Sequence, residues 1–226
     1  MIYYTSDSRK IEFTPNENYI GSGIQGTVYK LDDDKCIKIY GEDTRKYDRE
    51  VFELFKSLSL EGYCKLYDLL YNDKYQSKIL GYTMKYYQKE VDNILLMPTE
   101  YTLDSFNTLY NSIKNLADNR VMARDTIPAN AILGKDNITL IDFDACNFST
   151  LDKDVLLEVN TNNILYLFRR LYEEGLKSMG KNIEDKNLAE YLDAIFAYNR
   201  EPVKALKRRM SYSRTPMDLL PWEYRY

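Results

Sequence analysis

The segments Met122-Ala-Arg-Asp-Thr-Ile-Pro-Ala-Asn130 and Ile141-Asp-Phe-Asp144 hold the residues best suited to chemistry. Asp125 and Asn130 stand in a D-x-x-x-x-N spacing, and Asp142 follows the apolar, strand-like run Ile138-Thr-Leu-Ile141. A carboxylate in the first position can take the proton of an attacking hydroxyl. An amide oxygen and a second carboxylate are hard donors suited to Mg²⁺ on a nucleoside triphosphate. Singly, an Asp or Asn in such a segment is a common turn former. Together, in this order, they set out the parts of a phosphoryl-transfer site.

Phosphates need a second set of groups, and the earlier part of the chain offers one. Gly21-Ser-Gly-Ile-Gln-Gly26-Thr-Val28 follows G-x-G-x-x-G-x-V, with Gly21, Gly23, Gly26 and Val28 at the fixed positions. Glycines let backbone N–H groups approach phosphate oxygens that a Cβ would block. A dinucleotide-binding turn has similar glycines but opens a helix, whereas Thr27-Val-Tyr-Lys-Leu31 continues as a strand. Lys38 follows in the next strand, flanked by Ile37 and Ile39 on the opposite face, where its ammonium can meet the phosphates of ATP. Its expected partner is a glutamate on the following helix. Glu50 and Glu53 compete; with the apolar stripe centred near Leu54 and Leu58, Glu50 falls at the edge and can turn inward, while Glu53 is solvated.

The elements that must carry these residues are legible as periodicity. Residues 17–23, 26–31, 36–40, 65–71 and 78–84 read as strands, and residues 44–60 as an amphipathic helix. Beyond about residue 88 the pattern turns helical, with helices expected over 103–117, 164–176, 188–196 and 203–210. The expected fold class is α+β, with a five-stranded sheet and one helix in residues 1–87 and a mainly helical part in residues 88–226. Met84, Lys85 and Tyr86 fall at the junction and are expected to offer backbone groups to an adenine edge.

Composition bounds the function from outside. The chain has 226 residues, 44% hydrophobic and 29% charged, which suits a folded globular protein. It has no histidine, which excludes histidine-dependent triads, relays and zinc sites. The net charge of −4 leaves no electrostatic footprint for nucleic acid, which is therefore not an expected partner. No apolar run approaches the roughly 20 residues of a membrane span, and the opening Met1-Ile-Tyr-Tyr has no basic stretch before an apolar core. The expectation is a cytoplasmic protein with no membrane partner. Cys36, Cys64 and Cys146 are odd in number and far apart, so they are expected as reduced, buried thiols.

Over roughly residues 15–175 these motifs together resemble the eukaryotic-like protein kinase superfamily. Arg49-Glu-Val-Phe-Glu-Leu-Phe-Lys-Ser-Leu58 is similar to the αC helix of that family, Ala123-Arg-Asp125 to its H-R-D, and Asn163-Ile-Leu-Tyr-Leu-Phe168 to the start of a buried anchoring helix, with Asn163 in the anchoring Asp's place. The resemblance implies a bilobal fold that binds ATP and Mg²⁺ between its lobes. In it Asp125 is the proton acceptor, Lys38 and Glu50 the phosphate-orienting pair, and Asn130 and Asp142 metal ligands. Four features depart from the family. Ala123 replaces the usual His, Ile127 a phosphate-binding Lys, and Asp144 the Gly of D-F-G. The acidic residue at that last position is similar to aminoglycoside phosphotransferases and choline kinases, and Asp144 is a candidate third metal ligand. The fourth departure is the short interval from Asp142 to Asn163, which lacks A-P-E and implies a reduced or missing activation segment.

The reading that follows is an ATP- and Mg²⁺-dependent phosphotransferase, a Ser/Thr protein kinase without activation-loop control. Two alternatives stand beside it: a phosphotransferase acting on a small-molecule hydroxyl, and a nucleotide-binding pseudokinase scaffold. Arg124, without a phosphate to bind, is expected to bond backbone carbonyls or a carboxylate such as Asp144. No sequence feature identifies the acceptor or sets the oligomeric state.

Overall fold

The structure, a computed structural model, describes residues 1–41, 49–184 and 186–210. The chain divides into two compact units, Met1–Ser59 with Cys64–Tyr87, and Leu60–Tyr63 with the chain from Gln88 onward. It is an α+β protein.

The first unit runs β1 (Ile2–Thr5), β2 (Lys10–Glu12), a single turn α1 (Pro15–Asn18), β3 (Tyr19–Ser22), β4 (Gly26–Lys30), β5 (Lys35–Tyr40), α2 (Arg49–Leu58), β6 (Leu66–Tyr71) and β7 (Ile79–Lys85). All the strands join one antiparallel sheet in the order β2-β1-β6-β7-β5-β4-β3. The sheet therefore has seven strands, not the five expected. The two additional strands come from the amino-terminal residues, where β2 has only three residues and gives too short a pattern to read as a strand. Tyr3 and Phe13 explain why this hairpin adds to the sheet: both are buried with Ile37 and Leu70 on one sheet face, backed by Ile11, Tyr29 and Ile39. Alternation sends Cys36, Lys38 and Tyr40 to the other face. There Tyr82 packs against Tyr40 and against Phe52 of α2, with ring centroids 6.0 and 6.1 Å apart.

The second unit has α3 (Thr99–Asp118), β8 (Val121–Met122), β9 (Ala131–Leu133), β10 (Ile138–Leu140), β11 (Asn147–Phe148), α4 (Lys153–Ser178), α5 (Lys186–Ile195) and α6 (Pro202–Met210). α3 and α4 form its centre, Phe106 meeting Phe168 edge-on at 5.2 Å, and Tyr172 of α4 meets Phe196 at 5.0 Å. Leu60–Tyr63 belongs here because its backbone is tied in: Leu140 N–H donates to Gly62 O at 2.7 Å and Ser112 Oγ to Glu61 O at 2.6 Å.

The largest difference from expectation is in α4. It begins at Lys153, eleven residues before the expected Ile164, and runs 26 residues. Polar Asn160, Thr161, Asn162 and Asn163 interrupt the apolar pattern in sequence, yet Asn160 and Thr161 are buried at 0% and 2% exposure. The second half of the interval expected as a shortened loop is thus helix. Thr161 lies inside it, its hydroxyl donating to Leu157 O at 2.7 Å.

Candidate functional site

In the first unit β3 and β4 form the glycine-bearing hairpin, with Gly21 opposite Val28 and Ser22 opposite Thr27. Gly23 N–H donates to Gly26 O at 2.9 Å and closes the turn, leaving Ile24 fully exposed at its tip. The three glycines differ. A Cβ on Gly26 would lie 2.2 Å from Ile39 O, so the approach of β5 requires glycine there. A Cβ on Gly21 or Gly23 would meet nothing, and neither has a positive φ. Internal packing and backbone conformation leave their identity unexplained.

Lys38 sits in mid-sheet on β5, opposite Val28 on one side and Tyr82 on the other, so the three share a face. It is buried at 5% exposure. Ile37 and Ile39 point to the opposite face, as alternation demands. Val51, Phe52 and Phe55 carry the buried stripe of α2, so its centre lies earlier than Leu54 and Leu58. Glu50 is exposed, as is Glu53, and burial does not separate them. Residues 42–48, which the expected helix included in part, lie outside the described residues.

At the junction, Met84 is buried, while Lys85 and Tyr86 are half-buried. Two of their backbone amides are already bonded within the unit. Lys85 N–H donates to Lys65 O and Tyr86 N–H to Asp34 O, each at 2.8 Å. Cys36 Sγ lies 3.8 Å from Met84 O and 3.6 Å from Lys85 O. Lys85 and Tyr86 therefore have no free amide donor for a ligand; the sheet has already used them.

In the second unit a hairpin does the positioning. β9 and β10 pair with Leu140 opposite Ala131, and Ile141 N–H donates to Asn130 O at 2.8 Å. Asn130, just before one strand, and Asp142, just after the other, thus become neighbours. Asn130 Nδ2 donates to Asp125 O at 2.9 Å, closing the D-x-x-x-x-N loop and turning the amide oxygen away from that bond. Asp125 is exposed, while Asn130, Asp142 and Asp144 are half-buried. Asp144 N–H makes a long 3.4 Å contact with Asp142 Oδ1. Asp125 and Asp142 both hold left-handed backbone, φ 52° and 75°. Such a conformation costs a non-glycine residue about 1–2 kcal/mol and needs the surroundings to enforce it.

Cys146 reports how these carboxylates gather. Burial, with the charges of Asp144, Asp142 and Asp125 adding to it and a bond from the Arg124 backbone amide working against it, pushes its thiol up to about 12. Among the described residues no three His, Cys, Asp or Glu side chains group as a metal site on their own. The donor set offered here is two carboxylates, Asp142 and Asp144, with the amide oxygen of Asn130. It consists of hard oxygen donors only, which fits Mg²⁺ and not a thiophilic metal.

The loop itself is fastened to α4, and here sequence reasoning missed a residue. Asn160 is fully buried; its Oδ1 accepts Ala123 N–H at 2.9 Å and its Nδ2 donates to Val121 O at 3.0 Å. Asn163 donates to Ala123 O at 2.7 Å. Both backbone groups of Ala123 are thus held by amides three residues apart on one helix face. The available signal was an asparagine at the buried phase of α4, in line with Leu156 and Ile164. Arg124 also differs from expectation. Its Nε donates to Met122 Sδ at 3.3 Å, and among the described residues it makes no ion pair with Asp144 or any other carboxylate.

No family model matches the sequence, and no curated protein is found similar to it.

Proposed function

We propose that this protein is an ATP- and Mg²⁺-dependent phosphotransferase acting on hydroxyls, with Ser/Thr side chains of proteins as acceptors. The observation that carries the reading is the closed loop of the second unit. Asn130 donates to the Asp125 carbonyl through its side chain and accepts Ile141 N–H, one residue before Asp142, at its own carbonyl, so a proton acceptor and two metal-type donors are brought together. Gly21 and Gly23 add support, since neither packing nor φ calls for glycine and no side chain stands between their backbone and an approaching phosphate.

Mg-ATP, when bound, supplies the transferable phosphoryl group and the divalent charge that offsets its oxygens. The chain's residues do the rest. Asp125 receives the proton of the acceptor hydroxyl at its carboxylate. Asn130 and Asp142, with Asp144, are the residues that would hold the metal, and the glycine turn and Lys38 those that would orient the phosphates. Glu50 is the candidate partner of Lys38. With Lys85 and Tyr86 N–H already bonded, adenine would meet only carbonyl acceptors there.

A small-molecule acceptor is favoured by one observation, the direct passage from β11 into α4 at Lys153, which leaves little chain for a peptide-binding segment. Intact-mass spectrometry after incubation with Mg-ATP, wild type beside Asp125→Ala, separates the readings. Phosphate added to the wild type alone is the expected result. ATP turnover without protein phosphate would favour the small acceptor, and absence of both binding and turnover would overturn the enzyme reading.

A further inference from the structure

We propose that Lys35, Lys65 and Lys85 form a site in the first unit for a compact solute carrying several phosphates, of the inositol-polyphosphate kind, on the sheet face opposite that of Lys38. The site stands apart from the phosphotransferase reading above and does not depend on it.

Three neighbouring segments bring the lysines together. Lys35 opens β5 opposite Lys85, the last residue of β7, and Lys85 N–H donates to Lys65 O at 2.8 Å. The three stand on one rung across the sheet, which at about 4.8 Å between strands spans about 10 Å. Two tyrosines gather their ammoniums. Lys35 and Lys65 Nζ lie 5.4 and 5.7 Å from the centroid of the same Tyr67 ring. Lys85 Nζ lies 5.5 Å from that of Tyr87, whose hydroxyl accepts Lys65 N–H at 3.2 Å. Alternation along β5 puts Lys35 on the face of Ile37 and Ile39, away from Lys38.

Like charges directly opposite each other on adjacent strands repel, so Lys35 beside Lys85 works against the sheet until something negative covers the pair. The chain carries a net charge of −4, so these cations are collected against its overall sign. Among the described residues none of the three makes an ion pair with a carboxylate. The acids of the neighbouring turn are engaged elsewhere. Asp33 holds Lys30 at 2.7 Å, Asp32 accepts Asp34 N–H at 2.8 Å, and the Asp34 carboxylate meets the Tyr67 hydroxyl.

The kind of charge and its spacing name the ligand. Lysine ammoniums are point charges suited to phosphate, whereas the planar arginine fork suits a carboxylate. The Tyr67 ring is taken by two ammoniums, which leaves it a poor platform for stacked bases. Three charges on so short a rung fit a small solute with clustered phosphates rather than an extended chain.

The test titrates the full chain with inositol hexakisphosphate by calorimetry at low salt. One saturable site is expected, and Lys35→Ala and Lys65→Ala should each weaken it about tenfold. Lys74→Ala, which removes an ammonium 5.1 Å from the Tyr75 ring, should change nothing, and neither should Lys38→Met. Lys35, Lys65 and Lys74 are exposed, so their variants should keep the unfolding midpoint of the wild type without ligand. Vesicles with phosphatidylinositol bisphosphate that capture the chain, with the same sensitivities and in competition with the soluble compound, would uphold the site and make a lipid headgroup the source of the phosphates. Sensitivity to Lys38→Met in place of Lys35→Ala would move the ligand to the proposed nucleotide residues and overturn the site. Equal displacement by sulfate at matched ionic strength, tighter binding of a poly-glutamate peptide, or no binding at all would each overturn it as well.

Discussion

Asp142 shows how one residue can be tested for a role that its neighbours do not share. It is half-buried on left-handed backbone beside Asn130, with Asp144 N–H directed at one of its oxygens. On the proposed reading, Asp142→Asn keeps the shape and removes the charge that would hold Mg²⁺. Nucleotide affinity should then lose its dependence on Mg²⁺, while Lys38→Met weakens affinity with or without the metal. Titrating ATP binding against Mg²⁺ for both variants checks this; identical behaviour would overturn the assignment. Cys146 offers a second residue-scale prediction. Burial first, then the three carboxylates, lifts its folded thiol from 9.0 to about 12. A pKa raised on folding means that the folded state holds the proton more tightly. The stability it contributes is therefore complete below pH 9.0 and lost as pH rises toward about 12. Unfolding midpoints measured across that window should fall less steeply for Cys146→Ala than for wild type. Parallel slopes would mean that the thiol is not in the environment described.

Two elements carry the site, and each can be loosened separately. In the β3–β4 hairpin, Gly26→Ala forces a Cβ to 2.2 Å from Ile39 O on backbone that cannot give way, so the sheet itself should be destabilised. Gly21→Ala and Gly23→Ala meet no atom and should leave the unfolding midpoint nearly unchanged while weakening ATP binding. Calorimetric unfolding beside nucleotide titration distinguishes these patterns; a large stability loss at Gly21 or Gly23 would show that their openness has been misread. In α4, Asn160 acts as a positioning residue, accepting from Ala123 N–H and donating to Val121 O with no exposure to water. Asn160→Leu strands two buried backbone groups, at roughly 1–3 kcal/mol each. Asn160→Asp keeps the acceptor but sets a carboxylate against the Val121 carbonyl, so it should restore only part of the lost stability. Asn163→Ala removes a single partly buried bond and should cost about 1 kcal/mol. Thermal unfolding of the three variants gives the order directly.

For the whole molecule, the proposed ligand should stabilise the fold. A ligand bound only by the native state adds about 2.7 kcal/mol at a hundred times its dissociation constant. Millimolar Mg-ATP should raise the unfolding midpoint, and Asp142→Asn should remove most of the Mg²⁺-dependent part of that rise. An unchanged midpoint for the wild type would count against nucleotide binding as such.

What the sequence by itself determined was whatever depends on neighbours within a few positions. The G-x-G-x-x-G-x-V turn, the alternation around Lys38, the D-x-x-x-x-N loop and the helical periods of α3, α5 and α6 are local patterns, and each stands where local rules put it. The tertiary structure decided the rest, because burial belongs to surfaces that meet and not to spacing. β2, with three residues, has no period to read, and it pairs with β1 where Tyr3 and Phe13 complete a core built around Ile37 and Leu70. The amides of Lys85 and Tyr86 were lost to a ligand once Lys65 and Asp34 lay beside them. Asn160 looked like a break in a helix until the loop it fastens was folded against it, since an asparagine is buried only where another chain segment brings both a donor and an acceptor to meet it.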